Sequence, residues 1–145
     1  MAEATGAAPA AGPPTLAEAI GWIGFALDDV GGSRVGRIEA LFTDASGGEP
    51  AWLVVRLAGG GLLRRRRAAK VVAVPVRDCA GMVGRAWTAH GGRALRAAPT
   101  IDPTRPLLRE HEAAICAHYG IGERVGRHAE LAGRPEGTTT AQPAA

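Results

Sequence analysis

The apolar positions of this chain follow one period in its first two thirds and another afterwards. Before the first run, Thr15 and Glu18 stand in the spacing of a capping box, after Pro13 and Pro14. They predict a short helix from Leu16 to about Ile20, stopped by Gly21 and Gly24. Short apolar runs separated by turn residues then predict strands at 25–27, 35–44, 51–57, 71–76 and, more weakly, 82–87. In the second of these, Ile38, Ala40 and Phe42 alternate with Arg37, Glu39 and Leu41. Gly36 stands where a bulge or sharp bend would help a sheet close on itself. The third run is apolar on both faces: Ala51, Leu53, Val55 and Leu57 on one, Trp52 and Val54 on the other. A strand of that kind needs cover on both sides. The turns fall at Gly31 and Gly32, at Gly47 and Gly48, and at Gly81.

From Pro103 the spacing changes to three and four. Leu108, His111, Ile115 and Tyr119 form one stripe of a helix predicted over 106–119, with Gly120 as its stop. A weaker helical pattern continues over 123–131. Short connections between regular strands favour an antiparallel meander closing into a barrel, which removes exposed edges. The expected organisation is a tail at 1–14, a barrel at 15–102, a helical segment at 103–131 and a second tail at 132–145. Both tails are rich in Ala, Gly and Pro and lack apolar periodicity, so they are expected to be disordered.

Composition alters this picture in two places. The chain has 145 residues, enough for one domain. Its net charge is +3, but only Lys70 among its 17 basic residues is lysine. With so much Ala and Gly, that bias reads as the imprint of a GC-rich genome, and it lowers the weight of any Arg run. Cys79 and Cys116 are far apart and form neither a CxxC pair nor a disulfide framework. The first residues carry no basic-then-apolar leader, and no apolar stretch reaches the ~18–20 residues that span a bilayer. A soluble, cytoplasmic protein without an integral membrane segment is the expectation.

Residues that could carry chemistry have structural readings that weigh more. Asp28 and Asp29 would be paired carboxylates in an enzyme, but at a hairpin they read as turn formers. His111, Cys116 and His118 share the predicted helix, yet Cys116 is turned about 140° from His111, given ~100° per residue. That is a poor metal set, so no metal and no cofactor are expected. The Gly pairs and triplet do not follow a phosphate-loop pattern. Trp52 reads as the anchor of the core, with Trp22 and Trp87 docking the flanking helices. No catalytic arrangement is legible, and neither is a small-molecule substrate site. The sharpest feature is Arg64, Arg65, Arg66 and Arg67 with Lys70, a possible interaction loop. No aromatic residue interleaves it, so the solvated-loop reading weighs more.

Five motifs in order resemble the PRC-barrel family. Asp29, Gly32, Val35, Gly36, Arg37 and Ile38 stand at the offsets of that family's opening hairpin. Pro50, Trp52, Leu53, Val54 and Val55 resemble its third strand, and Val72, Val74, Pro75 and Val76 its valine–proline strand. Ala98, Pro99 and Asp102 resemble the segment that closes the barrel, and Glu112 with His118, Tyr119 and Gly120 its trailing helix. Val30 and Gly31 depart from the polar turn usual there, and residues 87–96 are richer in Gly than the family's segment. The resemblance spans about residues 20–121. It implies a mainly β fold, a small antiparallel barrel with a short N-terminal helix and a C-terminal helix. It also implies a bacterial docking or adaptor module with a protein partner or self-association, not an enzyme. The alternative it leaves open is an RNA- or ribosome-associated factor using the basic loop.

Overall fold

Eleven consecutive strand-forming residues in the first half of the chain organise the rest. The computed structural model describes residues 12–44, 47–58, 69–122 and 129–132. Strand β1 is Ala26–Asp28 and β2 is Arg34–Asp44. Strands β3 (Pro50–Leu57) and β4 (Val71–Pro75) follow. A single 3₁₀ turn at Val76–Asp78 leads into the hairpin of β5 (Cys79–Met82) and β6 (Arg85–Thr88). The helices are α1 (Leu16–Gly21), α2 (Gly92–Ala97) and α3 (Arg109–Tyr119), and β7 (Ala129–Ala132) comes last.

The strand order is β4-β3-β2-β1-β6-β5, and β7 lies beside β2. β3 runs antiparallel along nearly all of β2. The other edge of β2 is shared: β1 pairs with its first half and β7 with Leu41–Asp44. Residues 129–131 were expected at the end of a weak helix and Ala132 in the tail. They form a strand instead, because the edge that β1 leaves bare exposes backbone groups that need partners. The β1–β6 pair is parallel, so the sheet is mixed and not the all-antiparallel meander the short connections favoured. No ladder joins β4 to β5 among the described residues.

Two bulges in β2 decide which side chains face which core. Leu27 pairs with Gly36 and Asp28 with Arg34, so Val35 is an extra residue. Ile38 pairs with Val55 and Ala40 with Val54, so Glu39 is another. An extra residue inverts the alternation beyond it. Ile38 and Leu41 therefore share one face, and Ala40 and Phe42 the other. The expected grouping of Ile38 with Ala40 and Phe42 is corrected on that ground. Gly36 serves close approach instead: a Cβ there would collide with the carbonyl oxygen of Arg56 on β3.

The sheet is buried on both faces, as the apolar run of β3 requires. One core gathers Leu27, Ile38, Leu41, Leu53, Val55, Val72 and Val74, closed by Ala19 of α1, by Trp22 just after it and by Leu95 of α2. It draws on β4 and β5, the two ends of the strand order, so the sheet curls around it. The second core holds Phe42, Trp52, Val54 and Ala73 under Ile101, Leu107, Ile115 and Cys116.

Local signals explain most of the ends. Thr15 Oγ1 accepts from the Glu18 N–H, and the Glu18 carboxylate accepts from the Thr15 N–H, completing the capping box. Gly120 takes the left-handed conformation that stops α3. The region read as one strand at 82–87 is a hairpin. Its turn uses Gly84 at φ 79°, while Gly81 lies inside β5 against the indole of Trp22, where no Cβ fits. Helix α2 lay in the Gly-rich stretch after Trp87 and was not anticipated. Helix α3 begins at Arg109, not near Pro106. Asp102 accepts from both the backbone N–H and the hydroxyl of Thr104, which holds a turn, and buried Leu107 ties the next residues to the second core. No described helix is long and apolar enough to cross a membrane.

Candidate functional site

Residues 99–108 run alongside α3, and between them lies a groove of about 570 Å³. Its apolar lining includes Pro99, Ile101, Pro106, Leu107, Leu108, Ala114 and Ile115. Asp102, Arg105, Glu110 and His111 supply its polar groups. Ile101, Leu107 and Ile115 also belong to the second core, so the groove opens directly onto packed side chains. Leu108 is 48% exposed on its wall. Grooves of this size and character receive apolar ligands or peptide side chains.

The helical wall is fastened by polar bonds as well as packing. Glu112 is 2% exposed, and its Oε2 accepts from the indole N–H of Trp52 at 2.5 Å. The Tyr119 hydroxyl donates to the carbonyl of Ala73 at 2.7 Å. The Nε2 of His118 lies 2.7 Å from the carbonyl of Ala94. A carbonyl only accepts, so His118 carries a proton on Nε2. These bonds tie α3 to β3, to β4 and to α2, through different residues. The stripe that faces the sheet is Glu112, Ile115, Cys116 and Tyr119; it keeps Ile115 and Tyr119 of the expected stripe and has Glu112 and Cys116 in place of Leu108 and His111. Leu108 and His111 line the groove instead.

The rim charges pair weakly. Arg105 Nε lies 3.6 Å from Asp102 Oδ2, and both side chains are well exposed. Such pairs contribute at most about 1 kcal/mol. Bonds from the Thr104 hydroxyl and N–H, with Arg105 nearby, hold the Asp102 carboxyl below its ordinary range.

The expected site residues scatter. Arg64, Arg65, Arg66 and Arg67 lie outside the described residues. The Lys70 ammonium donates to the carbonyl of Arg96 at 2.5 Å. Asp28 pairs with Arg85 at 3.1 Å. Asp29 Oδ1 accepts from the N–H groups of Gly31 and Ser33, and its Oδ2 from that of Gly92. Those bonds, with Ser33's the largest influence, hold its pKa below the ordinary carboxylate value. The two carboxylates thus serve a hairpin and its neighbours. His111 lines the groove, Cys116 is buried in the second core and His118 faces α2, so the three point to different places. Burial pushes the Cys79 thiol up to about 12. Trp22 sits in the first core and Trp52 in the second, while Trp87 is partly exposed on β6.

In the sequence Glu112 stands out only as part of the family motif. Its spacing from Ile115, Cys116 and Tyr119 carried the signal that it faces inward, but a charged residue at an apolar position is discounted by any hydropathy pattern. The groove had no signal, since residues 99–108 have no period. No family model matches the chain, and no curated protein matches it.

Proposed function

We propose that this chain is a PRC-type barrel protein of the bacterial cytoplasm that works without catalysis, as an adaptor holding a segment of a partner protein. The groove between residues 99–108 and α3 carries the reading. It is apolar along its length, open at the surface, and walled by a helix that three polar bonds fasten in place. A wall already ordered loses little entropy when a partner settles on it. The polar groups at its edge suit a peptide whose backbone and flanking charges stay wet. The family reading draws support from the Asp29 turn, from Gly36 packed on the Arg56 carbonyl, and from a sheet that curls around its core.

A displayed library of 16-residue peptides, panned on the folded protein, tests the docking reading. Enrichment of apolar sequences is expected, with binding weakened at least tenfold by Ala114→Arg. Ala114 is an exposed groove residue, so that variant keeps the fold. No enrichment, or enrichment indifferent to Ala114→Arg, overturns the reading.

A further inference from the structure

The second surface of interest lies at the end of the sheet where β2 begins, and it is independent of the groove. Three separate segments bring cations there. Arg34 opens β2, Lys70 immediately precedes β4, and Arg93 and Arg96 project from α2. The hydrogen bonds show that these segments meet. Lys70 Nζ donates to the Arg96 carbonyl, which ties the approach to β4 onto the last turn of α2. The Gly92 N–H donates to Asp29, whose other carboxylate oxygen accepts from Ser33, next to Arg34. A Cβ on Gly92 would lie 3.3 Å from a methyl of Val35, the residue after Arg34. The N–H of Ala58 donates to the Val35 carbonyl, and that of Leu57 to the Lys70 carbonyl, closing the ring of contacts.

The charges at this end are not cancelled. Among the described residues no carboxylate lies within ion-pair distance of Arg34, Lys70, Arg93 or Arg96. Asp29 is the acid built into this end, and both its oxygens already accept backbone N–H groups. Asp28 is occupied by Arg85. Elsewhere the described arginines that do pair, Arg56, Arg77, Arg85 and Arg105, each have a carboxylate within 4 Å. Arg34, Arg93 and Arg96 are all exposed. Four like charges from three segments, with the Asp29 carboxylate as their one near counter-charge among the described residues, leave this end positive and matched to a ligand that brings its own negative charges.

We infer that this end of the sheet is a binding face for the phosphate backbone of a nucleic-acid duplex, held through Arg34, Lys70, Arg93 and Arg96 without reading the bases. Guanidinium groups suit phosphate oxygens because they offer paired N–H donors. Trp87, which shares Asp28 as a strand partner with Arg34, is the exposed aromatic residue among the described residues of this end, and one such platform falls short of the successive stacks on which single-strand binding relies. Val30 is the exposed apolar side chain beside α2, too little apolar surface for insertion into a lipid headgroup layer. Residues 64–67 are not part of the assigned face.

Fluorescence anisotropy with a labelled 24-base-pair DNA duplex of arbitrary sequence, titrated with the full chain at several salt concentrations, tests this. Four phosphate contacts give a log–log salt slope near −3.6, so affinity falls roughly 150-fold between 50 and 200 mM salt. In Arg34→Gln/Arg93→Gln/Arg96→Gln the slope drops to about −0.9, and the same salt change costs only about 3- to 4-fold. Arg109→Gln, an exposed cation of α3, leaves the slope unchanged. Near-UV circular dichroism verifies that each variant is folded. No binding to the duplex at 50 mM salt, or an unaltered slope in the triple variant, overturns the assignment. So does binding to phosphatidylserine vesicles by a protein that ignores the duplex.

Discussion

Replacing Glu112 tests whether the helical wall of the groove is held by a specific buried bond or by apolar packing alone. Its carboxylate and the Trp52 indole are each 2% exposed and stand 2.5 Å apart. Glu112→Ala removes the acceptor and leaves the indole N–H buried without it, a loss of about 1–3 kcal/mol. It also deletes one buried methylene, at about 0.8 kcal/mol. Together these put the expected destabilisation at about 2–4 kcal/mol, a large fraction of the ~5–15 kcal/mol of a typical domain. Glu112→Gln keeps a carbonyl oxygen at the same reach and is expected to cost less than half as much. Urea unfolding followed by tryptophan fluorescence measures both, with the slope of the transition held constant as the check on two-state behaviour. A double-mutant cycle with Trp52→Phe isolates the pair, and a coupling of about 1–3 kcal/mol is expected. If the coupling is under about 0.5 kcal/mol, or if the alanine and glutamine variants are equally unstable, the bond does not fasten the helix.

Three further outcomes are expected. Gly36→Ala drives a Cβ against the Arg56 carbonyl, which is backbone and cannot swing away, so it is expected to cost about 2–3 kcal/mol in the same unfolding assay; a neutral effect would mean that the β2–β3 register differs. Asp29 titrates below its ordinary value when folded, so its stabilisation is fully present above about pH 4 and is lost as pH falls through the folded value. Thermal melts between pH 5 and pH 2 should therefore fall more steeply for the wild type than for Asp29→Asn, and parallel curves would contradict the Ser33, Gly31 and Gly92 bonds. Cys79 at about 12 is thiolate in only about one part in 10⁴ at pH 8. Iodoacetamide should leave it unlabelled by mass spectrometry until urea unfolds the chain, and labelling at the rate of a free thiol would show it to be exposed.

What the sequence determined by itself was set by interactions within a few residues. The Thr15–Glu18 capping box, the left-handed Gly120 and the runs at β2, β3 and β4 depend on local dihedral preference and on side chains that reach their own backbone. The double-faced apolar run of β3 also announced a cover on the second face, and α3 with residues 99–108 supplies it. Other features waited for partners distant in the chain. Glu39 is an extra residue only because β3 pairs on either side of it, and its insertion alone sends Phe42 to the opposite core from Ile38. Gly81 and Gly84 look alike in the sequence. The indole of Trp22, some 60 positions away, excludes a side chain from the first, and the hairpin demands positive φ at the second. Glu112 reads as a surface charge until Trp52 stands opposite it. The cations of β2, α2 and Lys70 are dispersed along the chain, and only the contacts of Asp29 and Arg96 gather them. Local chemistry sets the dihedrals of each segment, whereas bulge position, strand partner and buried polar pairs are energies between segments that exist only once the chain has packed.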